Sequence, residues 1–273
     1  MAGTKPEPGP FGPLLQSLHT SFPKNIAMKT TLRLTAALSI SLFINTAHAE
    51  FSVIGEPNNS IGKLANSLSS ILDTNGPITI IIKPCGYVNA FWSENGTLTY
   101  CTETIQMVEN RANNAIRNGI SAESARAEEA GEKAFILFHE LGHAMIHRHH
   151  LPFTGHEEDA ADQFAAYLLM QSRDPRLYIG GINFFAEPQP LFKWYKKSEL
   201  TDEHGLSIQR RTQLTCWGYG RSPSLFAPLA NQIKISRERL QRCGEEYRNL
   251  TENTPRLFAA AIKKTADTQV NDQ

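Results

Sequence analysis

The residues best equipped for chemistry lie in one stretch, Phe138-His139-Glu140-Leu141-Gly142-His143. His139 and His143 are spaced so that one helical turn stacks both imidazoles on the same face. Two ligands of a single tetrahedral zinc need that separation. Glu140 is turned away from His139 by about 100° around the helix axis. From there its carboxylate reaches a metal-bound water without ligating the metal, as a general base does. The flanking residues Ala134, Phe135, Ile136, Leu137, Ala144 and Met145 are apolar. A helix that apolar is buried, and two histidines with a glutamate in a core need a compensating partner.

A catalytic zinc takes three protein ligands and keeps a fourth position for water. The third ligand is expected from the acidic segment Glu157-Glu158-Asp159-Ala160-Ala161-Asp162. Its apolar stripe runs through Ala161, Phe164, Ala165, Leu168 and Leu169, a phase that lets either Glu157 or Glu158 turn inward. Chemical pairing favours Glu158. Asp162 lies one turn later on the same face and can accept the second ring N–H of a ligating histidine. Glu157 has only Ala161 at that place, so it is expected to matter little to the metal. The plain alternative is an acidic first turn favoured by the helix dipole. For the oxyanion of a tetrahedral intermediate, His204 is the candidate donor, because Asp202 and Glu203 beside it can hold it protonated. Tyr167 and Tyr195 are further candidates. His147, His149 and His150 read as a polar helix end.

These groups need helices to carry them. Residues 59–72 have a helical apolar stripe, and 77–83 are a β-branched strand. Residues 88–92 and 97–101 flank Asn95-Gly96, which signals a hairpin with a two-residue turn. Helices follow over 103–116, over 121–147 with the histidine motif, and over 156–170 with the acidic segment. Beyond Met170 the chain is helical, broken at Pro175, Pro188 and Pro190, with helices over about 206–218, 235–248 and 255–264. The expected fold class is α+β: one mainly helical domain over 50–273 with a small N-terminal sheet. An exposed strand near residues 90–92 or 98–100 could take an extended peptide by strand addition.

The charges balance, with 27 basic and 27 acidic residues, which gives no footprint for nucleic acid. Residues 1–27 are rich in Pro and Gly and read as a disordered upstream extension. Residues 28–49 read as a secretory signal peptide: Lys29 and Arg33, an apolar run from Leu34 to Ile44, then Ala47-His48-Ala49. The apolar run is too short to span a bilayer, so no stable membrane insertion is expected after cleavage, and the product is secreted or periplasmic. The four cysteines then suggest two disulfides, in any of three connectivities. The local pairs Cys85–Cys101 and Cys216–Cys243 are favoured. The rival, one zinc held by all four, lacks any CxxC spacing.

HELGH followed by EEDAAD resembles the gluzincin metallopeptidases. The likeness implies a zincin-like fold acting on a peptide or protein, with Zn2+ held by His139, His143 and Glu158. It also implies Glu140 as general base and Asp162 as a carboxylate behind a ligand. More closely, CGYVNAFW, LTYCTE, FHELGHAMI, GHEEDAADQFA, DEHGLSIQRR with TCWGYG, and RCGEEY are similar to an uncharacterised bacterial family of secreted zinc metallopeptidases. Arg210 follows His204 at a spacing that resembles the His-Pro-x4-Arg of some gluzincins, without the Pro. Arg211 stands where an apolar or aromatic residue is expected. Two other classes compete. One is a catalytically silent zinc-binding protease-like domain acting as a binding or regulatory module, which has no need of Glu140. The other is an intracellular HExxH regulator coupled to DNA-binding modules, against which the signal peptide and cysteines argue.

Overall fold

The computed structural model describes residues 50–56, 59–186 and 206–263. His204, Tyr195, the signal segment and the upstream extension lie outside the described residues. Four strands form one sheet in the order β1-β2-β4-β3, with β1 Phe51–Ile54, β2 Ile78–Lys83, β3 Ala90–Ser93 and β4 Thr97–Cys101. β1 and β4 flank β2 in parallel, and β3 pairs antiparallel to β4 at the sheet edge. On β2, Ile78, Ile80 and Ile82 point into the core while Thr79 and Ile81 are half-buried, the period of two expected of a strand. The hairpin differs from its sequence expectation. Ser93 pairs with Thr97, so three residues turn the chain, closed by Gly96 N–H to Ser93 O at 3.0 Å. Gly96 takes φ +91°, the left-handed position a three-residue loop requires.

Around the sheet lie α1 Ser60–Leu68, α2 Thr102–Arg117, α3 Ala122–His149, α4 Glu157–Met170 and α5 Pro175–Phe184. α1 begins where the Asn59 side chain accepts from Gly62 N–H, and α3 begins where Ser121 Oγ accepts from Ser124 N–H. α3 is the axis of the molecule, touching α1, α2, α4, α5, β3 and β4. From Gly131 to Ile146 nearly every residue is buried, on all sides of the helix. That explains why its apolar residues run continuously and do not form a stripe. Phe135, Leu137, Phe138 and Leu141 each contribute about 1.5–3 kcal/mol by leaving water.

The chain closes with α6 Ser207–Arg221, α7 Pro223–Gln232, α8 Arg237–Leu257 and a 3-10 turn at Ala259–Ala261. Cys216 on α6 is bonded to Cys243 on α8. Phe258 packs on Phe164 of α4, and Tyr178 Oη on α5 donates to Leu214 O on α6 at 2.8 Å. Lys263 N–H reaches Ile71 O at 2.7 Å, so the end of the described chain returns to α1. Three features depart from expectation. β1 has no periodic signal, and α7 lies between the helix spans expected over 206–218 and 235–248. Residues 255–264 are not a separate helix: α8 runs through Pro255, which forfeits one bond in its last turn. The α+β class, mainly helical with a small sheet, is as expected. Among the described residues no helix is long and apolar enough to cross a membrane.

Candidate metal centre

α3 and α4 pack antiparallel and bring the motif against the acidic segment. Gly142 makes the approach possible. A Cβ there would lie 2.9 Å from Ala161 Cα and 3.2 Å from Ala161 Cβ, so any larger residue would drive α4 outward. At this closest point His139 Nε2 and His143 Nε2 are 3.2 Å apart. The Glu158 carboxylate lies 3.1 Å from the first and 3.2 Å from the second. The three ligand atoms fall within 4.8 Å of one another.

The far sides of both rings are also engaged. His139 Nδ1 is 2.9 Å from Asp162 Oδ1, and His143 Nδ1 is 2.6 Å from Glu157 Oε1. A carboxylate only accepts, so each Nδ1 carries the proton and donates it. In its neutral form each ring then carries a bare lone pair on Nε2. Two lone pairs and a carboxylate oxygen facing one another repel unless a cation sits among them. This donor set, two imidazoles and one carboxylate, fits zinc and leaves a coordination position open. Without a metal, a proton takes the cation's place between the rings and Glu158. Burial opposes charge on His139, but hydrogen bonds to Asp162 and Glu158 outweigh it and raise its pKa to about 9. Burial likewise opposes ionisation of Glu158, and both histidines overcome it and hold the carboxyl well below its usual range. The site draws positive charge.

Glu140 is buried beside this cluster but outside it. Its Oε2 accepts the backbone N–H of Trp92 on β3 at 2.8 Å. Burial raises its pKa, partly countered by His139, His143 and that N–H. A raised proton affinity suits a general base. Asp162 is clamped by Arg210 from α6, with Nε 2.8 Å from Oδ2 and Nη2 2.6 Å from Oδ1. Burial opposes the Asp162 charge, and Arg210 and His139 restore it and keep the carboxyl low. The Arg210 guanidinium lies over the Phe185 ring, 4.4 Å from its centroid.

Of the sequence candidates, His139, His143, Glu158, Glu140 and Asp162 come together here. Tyr167 is buried further along α4. Glu157 also turns inward, and it lies at the back of His143 as Asp162 lies at the back of His139. Its partner is across the interhelical gap, where helical spacing within α4 gives no sign of it. Trp92 and His147 also enter the site, and only their aromatic and titratable character could have marked them.

The four cysteines are spent on disulfides, which removes the four-cysteine zinc site. Lys83 pairs with Cys101, and Cys85, just past the end of β2, bonds to Cys101. Glu103 accepts from Cys85 N–H and Gly86 N–H, at 3.0 and 2.7 Å, and fixes this loop. Its carboxylate lies near the two sulfurs, but bonded sulfurs are not thiolate ligands.

Residues 46–258 match the family described as "Putative metallopeptidase". No curated protein and no solved structure is significantly similar to the chain.

Proposed function

The chain belongs to that family, and from this premise we propose that it hydrolyses peptide bonds with a zinc ion held by His139, His143 and Glu158. The observation that carries this reading is the convergence of three ligand atoms, two of them on imidazoles whose opposite sides are already committed to carboxylates. A zinc ion bound there supplies Lewis acidity toward water and the scissile carbonyl. Glu140 takes a proton from the attacking water as the new C–O bond forms. It then delivers that proton to the leaving nitrogen as the C–N bond breaks. Asp162 and Glu157 hold the ligand tautomers, and Arg210 keeps Asp162 ionised and oriented.

Substrate recognition falls to β3. It is an edge strand, and Trp92 points its backbone N–H away from β4 toward Glu140. An extended peptide lying along this edge passes the general base, which matches a peptide or protein substrate. His204 remains the proposed oxyanion donor. We assign the protein to a secreted or periplasmic location, with residues 28–49 removed before Glu50, a reading that both disulfides suit. N-terminal sequencing of exported protein beginning elsewhere than Glu50 contradicts the assignment.

The decisive experiment is elemental analysis of the purified protein together with a proteome-derived peptide cleavage profile, wild type against Glu140→Gln. Zinc at one equivalent in both, with cleavage only by wild type, is the expected result. Zinc in both with no cleavage by either identifies a silent zinc-binding domain.

A further inference from the structure

The side chain of Trp92 starts a chain of hydrogen bonds that ends on His143. Trp92 Nε1–H donates to His147 Nδ1 at 3.0 Å. His147 Nε2 lies 3.0 Å from Glu157 Oε1 and 3.2 Å from Glu157 Oε2. Glu157 Oε1 is 2.6 Å from His143 Nδ1. His147 is therefore not simply a polar helix end.

The chain has a direction. An indole N–H can only donate, so His147 Nδ1 must be its acceptor and carry no proton. A neutral His147 then has its proton on Nε2, which points at Glu157. Glu157 as a carboxylate only accepts, so it takes both that proton's hydrogen bond and the one from His143 Nδ1–H. In neutral His143, Nε2 is then left bare, facing His139 and Glu158, ready for a metal. Every other member could in principle be reversed by moving a proton. Trp92 cannot, so it sets the sense of the whole chain.

Trp92 is itself held in place. Its residue pairs with Leu98 on β4, and its backbone N–H is bound to Glu140. The Arg148 guanidinium lies over its ring, 5.7 Å from the centroid. Arg148 in turn donates to Asn75 O and Pro77 O at 3.4 and 3.3 Å. A single edge-strand residue therefore holds the general base through its backbone and a metal ligand through its side chain.

We propose that Trp92, His147 and Glu157 are positioning residues that fix the proton on His143 Nδ1 and couple the metal centre to the substrate edge, β3. The proposal rests on the metallopeptidase reading for what the centre does. The proton placement itself does not depend on that reading.

The test uses two readouts on the full mature protein. Zinc affinity is measured by competition with a chromophoric chelator, and the tautomers of His143 and His147 by imidazole nitrogen NMR of zinc-free protein, at a pH high enough that both rings are neutral. Wild type should show His147 protonated on Nε2 and His143 on Nδ1. Glu157→Gln should weaken zinc about 10–100-fold, as loss of such an acceptor does. Trp92→Phe and His147→Leu should each weaken it a few-fold and release the tautomer preference of His143. The double variant should be no worse than His147→Leu alone, since both break one chain. His147→Gln should stay near wild type, because its Oε1 accepts from the indole and its Nε2 donates to Glu157. Unchanged tautomers and affinity in Trp92→Phe, or equal losses in His147→Gln and His147→Leu, overturn the proposal. If His139→Ala binds zinc as wild type does, the metal-centre reading fails instead, and the NMR result alone then decides the chain.

Discussion

Gly142→Ala should damage the metal centre without touching a ligand. The added methyl would sit 2.9 Å from Ala161 Cα and 3.2 Å from its Cβ. Carbon atoms settle at about 3.5–4.0 Å, so α4 must retreat by about 0.6–1 Å. Glu158 and Asp162 flank Ala161 on α4 and move with it. Metal–ligand distances tolerate about 0.2 Å, several times less than this displacement. Overpacking should cost about 1–3 kcal/mol of stability. Zinc affinity should fall by at least about 10–100-fold, the loss typical of a disturbed partner just outside the ligand set. Urea unfolding of chelator-treated protein gives the first quantity, and zinc titration against a competing chelator gives the second. Because the nearest atom is a backbone carbon, adding Ala161→Gly should not restore the affinity. Wild-type zinc affinity in Gly142→Ala would show that the α3–α4 approach does not set the position of Glu158, and the reasoning would fail.

Glu140→Gln should retain zinc and lose turnover, since the amide oxygen still accepts from Trp92 N–H but cannot take a proton; surviving activity in a steady-state assay would displace Glu140 as the base. Glu158→Gln should remove most zinc affinity, and Asp162→Asn should lower it about 10–100-fold; the same chelator titration ranks them, and a ranking with Asp162→Asn the worse would reverse their roles. In zinc-free protein His139, raised to about 9, contributes stability that is complete below about pH 6.5 and is lost as pH rises through about 9. Glu158 is held low, so its contribution is present above about pH 4.5 and is lost on acidification. The melting temperature of chelator-treated protein should therefore peak between about pH 5 and 6.5, and a maximum above about pH 8 would contradict this. Arg211→Met should stabilise the fold by about 1–3 kcal/mol, because Arg211 is buried and its Nε has no hydrogen-bond partner among the described residues; a lower urea midpoint would refute it.

The parts of the site legible in the sequence are those set by helix geometry within one element. His139 and His143 share a face because of their spacing, and Glu158 and Asp162 do so for the same reason. Those relations survive whatever the helices pack against. The contact of Glu157 with His143 is not legible by that rule, which compares Glu157 with Ala161 on its own helix, whereas its partner is on α3. Trp92 and Glu140 are 48 residues apart in the chain, as are Asp162 and Arg210, and no local pattern reports such a meeting. In the fold, β2 and β4 announced themselves by β-branched and aromatic runs. β1 is only four residues long, and its ordering comes from pairing with β2. Arg211 stands where the resemblance implies an apolar or aromatic residue, and it is buried with its Nε unpartnered among the described residues.

The candidate metal ligands all come from one helical hairpin, α3 and α4, whereas Trp92 and Arg210 arrive from distant parts of the chain. Local contacts form early and non-local ones late, because long loops must close first. The consequence is a hierarchy in time. The hairpin can gather its candidate ligands before the β3 edge and α6 dock, so capture of a metal is expected to precede the alignment of Glu140. Partial opening should run in the reverse order, with β3 and α6 loosening while the ion is still held. A chain caught in that state would carry its metal and do no work, and native-state hydrogen exchange should find β3 amides opening before those of α3.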